Sequence, residues 1–489
     1  MSTEDQASNP GQNSDSQDDP ITLVAEEIIG ILPRGPNDQG TSSSYDILSL
    51  DESADSGKSA LKLRRRRYDG LIPQSLTDDF LISDALPEYL QPSGQREMSV
   101  VVSTASGTEL ALKFHDDVVE PLLNMFGLTA TAADGEAGKH ANNATYRLVI
   151  TKDAESVKEL ARDISGKDGV EHTVVLLSGD GGIIDMLNSQ APANGSTRDQ
   201  GSSRASKEGK NLPLIAILPL GTGNALFNSI HKTAPAASVL VQGLRTLLRG
   251  KATPLPSFQV SFPEGSTIIT YLADDSTSVQ NGISRAEETP ASNLQKQTKD
   301  VSSLYGVVVA SYGFHSQLVW ESDTPEYRKH GAARFQMVAQ ELLKESHAYH
   351  ASVEVILSSP EGSTLKPNRD RHAYILTTLV SNLEKTFCIS PASQPLDGQL
   401  RLVHFGPVDG DKTMQIMMAA YDGGKHVDDE AVGYDAIEEI RITTHEQESR
   451  WRKVCVDGTI VEIPCGGTVV VRREKRSHLS VLVDRSVSV

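Results

Sequence analysis

The 489-residue chain is long enough for two or three domains with a sizeable core. Its net charge of −19 excludes the basic footprint of a general nucleic-acid binder, and hydrophobic and aromatic shares of only 38% and 5% imply that part of the length stays unfolded. No apolar run nears the roughly 20 residues that span a bilayer, the acidic start lacks signal or transit features, and Cys388, Cys455 and Cys465 make neither a disulfide framework nor a zinc spacing, so a cytoplasmic, reducing location is expected.

In chain order, residues 1–45 have no periodicity and are expected to be a disordered acidic tail. Residues 46–97 form an extension carrying the one dense basic run, Arg64, Arg65, Arg66 and Arg67. Such a run is either a solvated tether or a patch for anionic lipid headgroups, which would make the protein peripherally membrane-associated. From residue 98 to 253 strand and helix patterns alternate: "MSVVVS", the helical "ELALKFHDDVVEPLLNMF", "YRLVIT", the helical "AESVKELARDI", then the continuous apolar runs "HTVVLL" and "LPLIAILPL". Strands covered on both faces read this way, so a doubly wound parallel α/β domain is expected. Residues 190–211 and 274–302 are polar and read as disordered insertions. From residue 254 to 489 short β-type runs alternate with turns, which predicts a mainly antiparallel β-sandwich, its last residues being candidates for return to the first domain.

Several phosphate and catalytic motifs are excluded. "GKS" at Gly57–Ser59 has Glu52 where a P-loop places its first glycine, "GTGNAL" has Leu226 at the third glycine position of a dinucleotide fingerprint, and neither a GxSxG elbow nor an HExxH pair occurs. What remains is a pair of junctions, "VVLLSGDGGIIDMLN" and "IAILPLGTGNALFNSI". Each runs from a buried strand through glycines into a helix start. Ligands of open α/β sheets lie beyond the strand ends, where helix N-termini offer unpaired N–H groups and glycines admit phosphate oxygens. Asp180 would repel a bare phosphate. A carboxylate there suits proton removal from an attacking hydroxyl or the holding of Mg²⁺.

With these motifs in place, the chain resembles the diacylglycerol kinase and sphingosine kinase superfamily of lipid kinases over residues 98–475. "SGDGGIIDMLN" resembles the family's first glycine loop in its sphingosine-kinase form, and "LPLGTGNALFNSI" the second. "SYGFHSQLVWESDTPEYRKHGAARF", "PLDGQLRLVHF" and "CVDGTIVEIP" are similar to three later motifs, in the family's order. The resemblance implies an ATP and Mg²⁺ site between a nucleotide-binding α/β domain and a lipid-binding β-domain, acting on a sphingoid base, ceramide or diacylglycerol type of lipid alcohol. It implies Asp180 as general base. Thr151, Ser178, Gly179, Gly181, Gly221, Thr222, Gly223, Asn224, Arg328, Arg334, Asp457 and Gly458 would bind the nucleotide, and Asp397 a metal. Gln317 and Val319 would meet the lipid.

The chain departs from the pattern at four places. Ser103 and Thr104 replace an Asn-Pro turn, Asp185 a glutamate, and Thr459 the glutamate of the last motif. Gln317 and Val319 stand where sphingosine kinases have aspartates. An ammonium left unpaired in an apolar pocket costs several kcal/mol, so the substitution favours a neutral lipid alcohol. Two other readings remain open at this point: a non-catalytic lipid or nucleotide sensor on the same fold, and an NAD kinase, whose family shares a GGDG loop.

Overall fold

The computed structural model describes residues 24–34, 44–52, 54–55, 58–59, 61–82, 86–104, 110–131, 144–153, 155–190, 212–231, 237–273, 294–331, 333–359 and 362–487. Its first feature corrects the expectation of a disordered start. Strands β1 (Ile28–Arg34) and β2 (Ser44–Asp51) pair antiparallel. After a small hairpin of β3 (Ala54–Asp55) and β4 (Lys58–Ser59), β5 (Lys62–Asp69) adds to β2, and α1 (Gln74–Phe80) packs on β1. Ile29 and Ile31 are wholly buried: Ile29, with Leu48 and Leu50, joins the core of the next domain, and Ile31 packs with Ile28, Ile47 and Phe80 on the other face. The apolar residues that fix these strands are too few and too far apart to give a periodic signal. Residues 1–23 and 35–43 of the expected tail lie outside the described residues.

The α/β domain follows the expected alternation. In order come β6 (Arg96–Val102), α2 (Ala111–Phe114), a π-helical turn (His115–Val119), α3 (Glu120–Met125), β7 (Leu128–Thr131), β8 (Ala144–Ile150), α4 (Glu155–Ser165), β9 (Glu171–Ser178) and α5 (Asp180–Gln190). Then follow β10 (Leu214–Pro219), α6 (Ala225–Ile230), α7 (Val239–Arg249) and β11 (Lys251–Pro254). Strands β7, β8, β6, β9 and β10 are parallel neighbours in that order. The Val, Ile and Leu side chains of the central β6, β9 and β10 are buried on both faces, which is why β9 and β10 read as unbroken apolar runs. Residues 191–211 of the first expected insertion lie outside the described residues.

The second domain is antiparallel, as its alternating runs imply, and its strands form one large curled sheet. It contains β12 (Phe258–Ser261), β13 (Thr267–Ala273), β14 (Leu294–Asp300), β15 (Ser303–Gly306) and β16 (Val309–Gly313), then helices α8 (Phe314–Ser322), α9 (Pro325–Arg328) and α10 (Ala333–Glu345). Next are β17 (Tyr349–Leu357), β18 (Thr364–Leu365), β19 (Arg371–His372), β20 (Tyr374–Thr378), β21 (Leu400–Phe405) and α11 (Gly410–Tyr421). The strands β22 (Val432–Thr444), β23 (Lys453–Val456), β24 (Thr459–Glu462) and β25 (Thr468–Arg473) complete it. The expected insertion at 274–302 is shorter than its polarity suggests. Residues 274–293 lie outside the described residues, whereas Leu294–Asp300 is strand β14, paired with β13. The last strand, β26 (Ser480–Val483), leaves this domain and inserts into the first sheet, parallel to β10 and antiparallel to β11.

The two domains share a core. Ile217, Ala225 and Leu226 from the first domain pack in one cluster with Val307, Leu376 and Phe405 from the second. Polar straps cross the same seam. Asn188 on α5 donates to Tyr305 O (2.9 Å) and accepts from Tyr305 N (2.9 Å), and Ser229 exchanges hydrogen bonds with the backbone of Asn382.

Candidate active site

Strands β9 and β10 end side by side, with Ser178 opposite Pro219, so the two glycine loops leave the sheet as neighbours. They touch backbone to backbone. A Cβ added at Gly221 would lie 2.4 Å from the Gly179 Cα, and one at Gly179 would lie 3.0 Å from the Gly221 Cα. These two glycines are therefore required by each other. Gly181 differs, because a Cβ there would meet no atom within 4 Å, so packing does not demand a glycine.

Asp180 opens α5 and points across to the second loop. Its carboxylate accepts from Ala225 N (2.7 Å) and Leu226 N (3.2 Å), the first free amides of α6. Partial burial pushes the carboxyl above the usual carboxylate range, and those two N–H groups only partly offset the rise. Asn224 precedes α6 in the left-handed region (φ 48°). Its Oδ1 accepts from Gly221 N (2.9 Å) and its Nδ2 donates to Gly221 O (2.8 Å). The second loop thus spends its own amides on Asp180 and Asn224, so Gly221 N–H is not open to phosphate. Thr222 is exposed, and Gly223 faces the Leu383 carbonyl at 3.5 Å from an added Cβ. Thr151, just past β8, is tied to the end of β6. Its Oγ1 accepts from Thr104 N (3.1 Å), and its carbonyl accepts from Thr104 Oγ1 (2.9 Å). Ser103 and Thr104 thus close this strand end in place of a proline turn. Asp185 faces α4, where Lys158 Nζ lies 3.9 Å away, and burial raises its carboxyl to about 6.

The second domain contributes Asp457. With Gly458 it forms the two-residue turn between β23 and β24, both at positive φ (46° and 85°), the backbone pattern that Asp-Gly favours in tight hairpins. The Asp457 carboxylate accepts from Val307 N (2.7 Å), Val308 N (3.1 Å) and Val309 N, at the break between β15 and β16. Loss of hydration raises it to about 7 against those N–H groups, and the charge of Asp180 adds to the rise. Two carboxylates from different domains therefore feel each other at the seam.

The remaining expected site residues lie elsewhere on the second domain, each with its own local partners. Arg328 is held by Asp323 through two hydrogen bonds (3.1 and 2.7 Å). Arg334 keeps a buried Nε–H without a partner and stacks on Phe335. Asp397 is exposed, and its oxygens accept from Gln394 N (3.1 Å) and Gln399 N (2.9 Å), closing a turn. Among the described residues the grouping with metal-ligand spacing is His115, Asp116 and Glu120, on the π-helical turn.

Gln317 and Val319 do not share a pocket. Two residues turn a helix by about 200°, and their partners differ accordingly. Gln317 is wholly buried and donates to Glu321 Oε1 (2.6 Å), whereas Val319 packs on Ile269, Cys455 and Ile460. Two hollows of the described residues, one beside Tyr349 and Leu342 and one at the seam beside Leu226 and Val307, are lined by neither. Of the four arginines on β5, Arg64 pairs with Asp51, Arg65 with Asp46 and Arg67 with Asp69 (3.1 Å). No described helix is long and apolar enough to cross a membrane.

No curated protein matches the chain. Three solved structures from Bacillus anthracis str. Sterne each cover 81% of this chain and 100% of their own. One is described as a diacylglycerol kinase (10% identity, TM-score 0.44), and two as provisionally assigned diacylglycerol kinases (14% and 13%, TM-scores 0.47 and 0.46). The segment that carries β6 to β12, both glycine loops and Asp180, residues 97–260, matches the family model of the diacylglycerol kinase catalytic domain.

Proposed function

We propose that the chain is an ATP-dependent lipid kinase that transfers the γ-phosphoryl group to the hydroxyl of a long-chain lipid alcohol, with Asp180 as general base. The observation that carries this reading is the place of Asp180: beyond the end of β9, where the two glycine loops meet, and within electrostatic reach of Asp457 across the seam. A base must be ionised yet basic enough to take a proton, and partial burial moves Asp180 toward that range. The amides of Ala225 and Leu226 fix the orientation of its carboxylate, and each oxygen retains a lone pair for an acceptor hydroxyl.

The residues present fit a nucleotide with Mg²⁺. Gly181 leaves open space at the N-terminus of α5, an eleven-residue helix, where phosphate is favoured. The charge of Asp180 adds to the cost of ionising Asp457, and a divalent cation beside them would relieve it. Gly179, Gly181, Thr222 and Gly223 would border the phosphates, while Arg334, with its uncommitted Nε–H, would face the transferring group. When bound, Mg²⁺ would neutralise charge on the phosphates. Arg328 reaches such a role only by leaving Asp323.

Val319 at the inner face of α8 supports a neutral acceptor, a ceramide or a diacylglycerol, over a sphingoid base. The acceptor would be met at a membrane surface. Labelled ATP offered with ceramide, diacylglycerol, sphingoid base and NAD tests the reading; label in a neutral lipid supports it, and label in NAD alone or in nothing overturns it. The sensor reading draws on one observation, the use of Gly221 N–H and the α6 amides within the fold. ATP binding without transfer to any acceptor would favour it.

A further inference from the structure

Helix α8 starts directly after β16 and lays one face against β16 and β23, the strand that leads into the Asp457 turn. That face is built from His315 and Val319, one helical turn apart. Val319 packs with Tyr271 and Trp320 on Cys455. His315 Nδ1 lies 2.7 Å from Ser311 Oγ, and Ser311 pairs with Cys455 across β16 and β23. The imidazole is thus anchored in the same neighbourhood as Val319, and among the described residues no hydrogen bond reaches its Nε2.

The charges around it favour an uncharged ligand. Burial lowers the imidazole to about 4, which keeps it neutral at physiological pH. Lys453 lies on the same face of β23 as Cys455, 2% exposed, with its ammonium 3.1 Å from Glu462 and 4.3 Å from the centre of the Trp320 ring. A cationic head here meets a like charge and a carboxylate already paired. A hydroxyl or amide meets an imidazole nitrogen able to form a hydrogen bond.

We infer that His315, oriented by Ser311, contacts the polar head of the lipid acceptor and selects uncharged hydroxyl- or amide-bearing lipids over sphingoid bases. The inference rests on the lipid-kinase reading above, and its test separates the two by reading binding as well as turnover. Short-chain ceramide, short-chain diacylglycerol and a soluble sphingoid base are titrated into the full chain and into His315→Phe, His315→Gln and Ser311→Ala, following Trp320 fluorescence and phosphoryl transfer. For His315→Phe we expect neutral-lipid binding weakened about tenfold, the weight of one neutral hydrogen bond in a dry site, a matching rise in lipid KM, and an unchanged KM for ATP. His315→Gln restores most of the loss, and Ser311→Ala falls between them. Equal neutral-lipid binding by wild type and His315→Phe overturns the inference, as does tighter binding of the base than of either neutral lipid, or no lipid binding at all. Binding without turnover removes the kinase reading while the His315 comparison is still decided by fluorescence.

Discussion

The two glycine loops look interchangeable as sequence and serve different ends in the fold. The first, Ser178 to Gly182, projects a carboxylate and leaves open space above Gly181. The second, Gly221 to Asn224, receives that carboxylate on the amides of α6 and folds Asn224 back on Gly221. A glycine-rich turn between strand and helix can therefore serve a ligand or a neighbouring loop. What a Cβ would hit distinguishes the two cases.

The largest effect expected from this contrast concerns pH. Asp457 is raised to about 7 in the fold, whereas an unfolded Asp titrates near 4. Between those values the native state binds more protons, so stability falls as pH rises from about 4 to about 7. Chemical denaturation across that range, with the Asp457→Asn chain as reference, is expected to show wild type losing a few kcal/mol relative to the variant, at most ~1.4 kcal/mol for each pH unit crossed. Equal slopes would mean that burial does not hold Asp457 above its unfolded range.

Next in size, Gly221→Ala forces a methyl group against the Gly179 backbone and is expected to cost about 1–3 kcal/mol of stability. Gly181→Ala meets nothing, so its stability stays at or above wild type while its KM for ATP rises. If both variants unfold alike, the loops are equivalent after all. Asn188→Ala tests the seam beside them, since it strands the N–H and C=O of Tyr305. A loss of about 1–3 kcal/mol is expected for an unpaired buried polar group, read from the denaturation midpoint. The smallest effect is reserved for the arginine strand. Replacing Arg64 to Arg67 by glutamine is expected to change pelleting with anionic vesicles by less than about threefold, because ion pairs already neutralise three of the four. Loss of all vesicle binding would restore the run as a membrane patch.

Much of this was legible in the residues. The apolar runs from Val174 and Leu214 become adjacent central strands because only doubly covered strands tolerate such continuity. The junction at Asp180 follows from strand, glycines and helix start in that order. The N-terminal sheet was not legible, since Ile28 to Leu32 and Ile47 to Leu50 acquire meaning only once they meet the distant core. Helix α8 shows how spacing assigns faces. Gln317 and Val319 are close in sequence but leave on opposite sides, and the helical spacing of His315 to Val319 was the available signal. Asp-Gly at 457–458 announced a hairpin turn, but the reach of its carboxylate to Val307–Val309 depends on contacts 150 residues apart in sequence.

The central claim, that Asp180 removes the proton of a lipid hydroxyl at the meeting of the two loops, is tested most directly by single-turnover phosphoryl transfer with wild type and Asp180→Asn at saturating ATP and neutral lipid. Asparagine retains an oxygen for the α6 amides and cannot take the proton. The account predicts a rate lower by about 10²–10⁴-fold, with ATP and lipid binding within about threefold of wild type. Equal rates in the two proteins would contradict it.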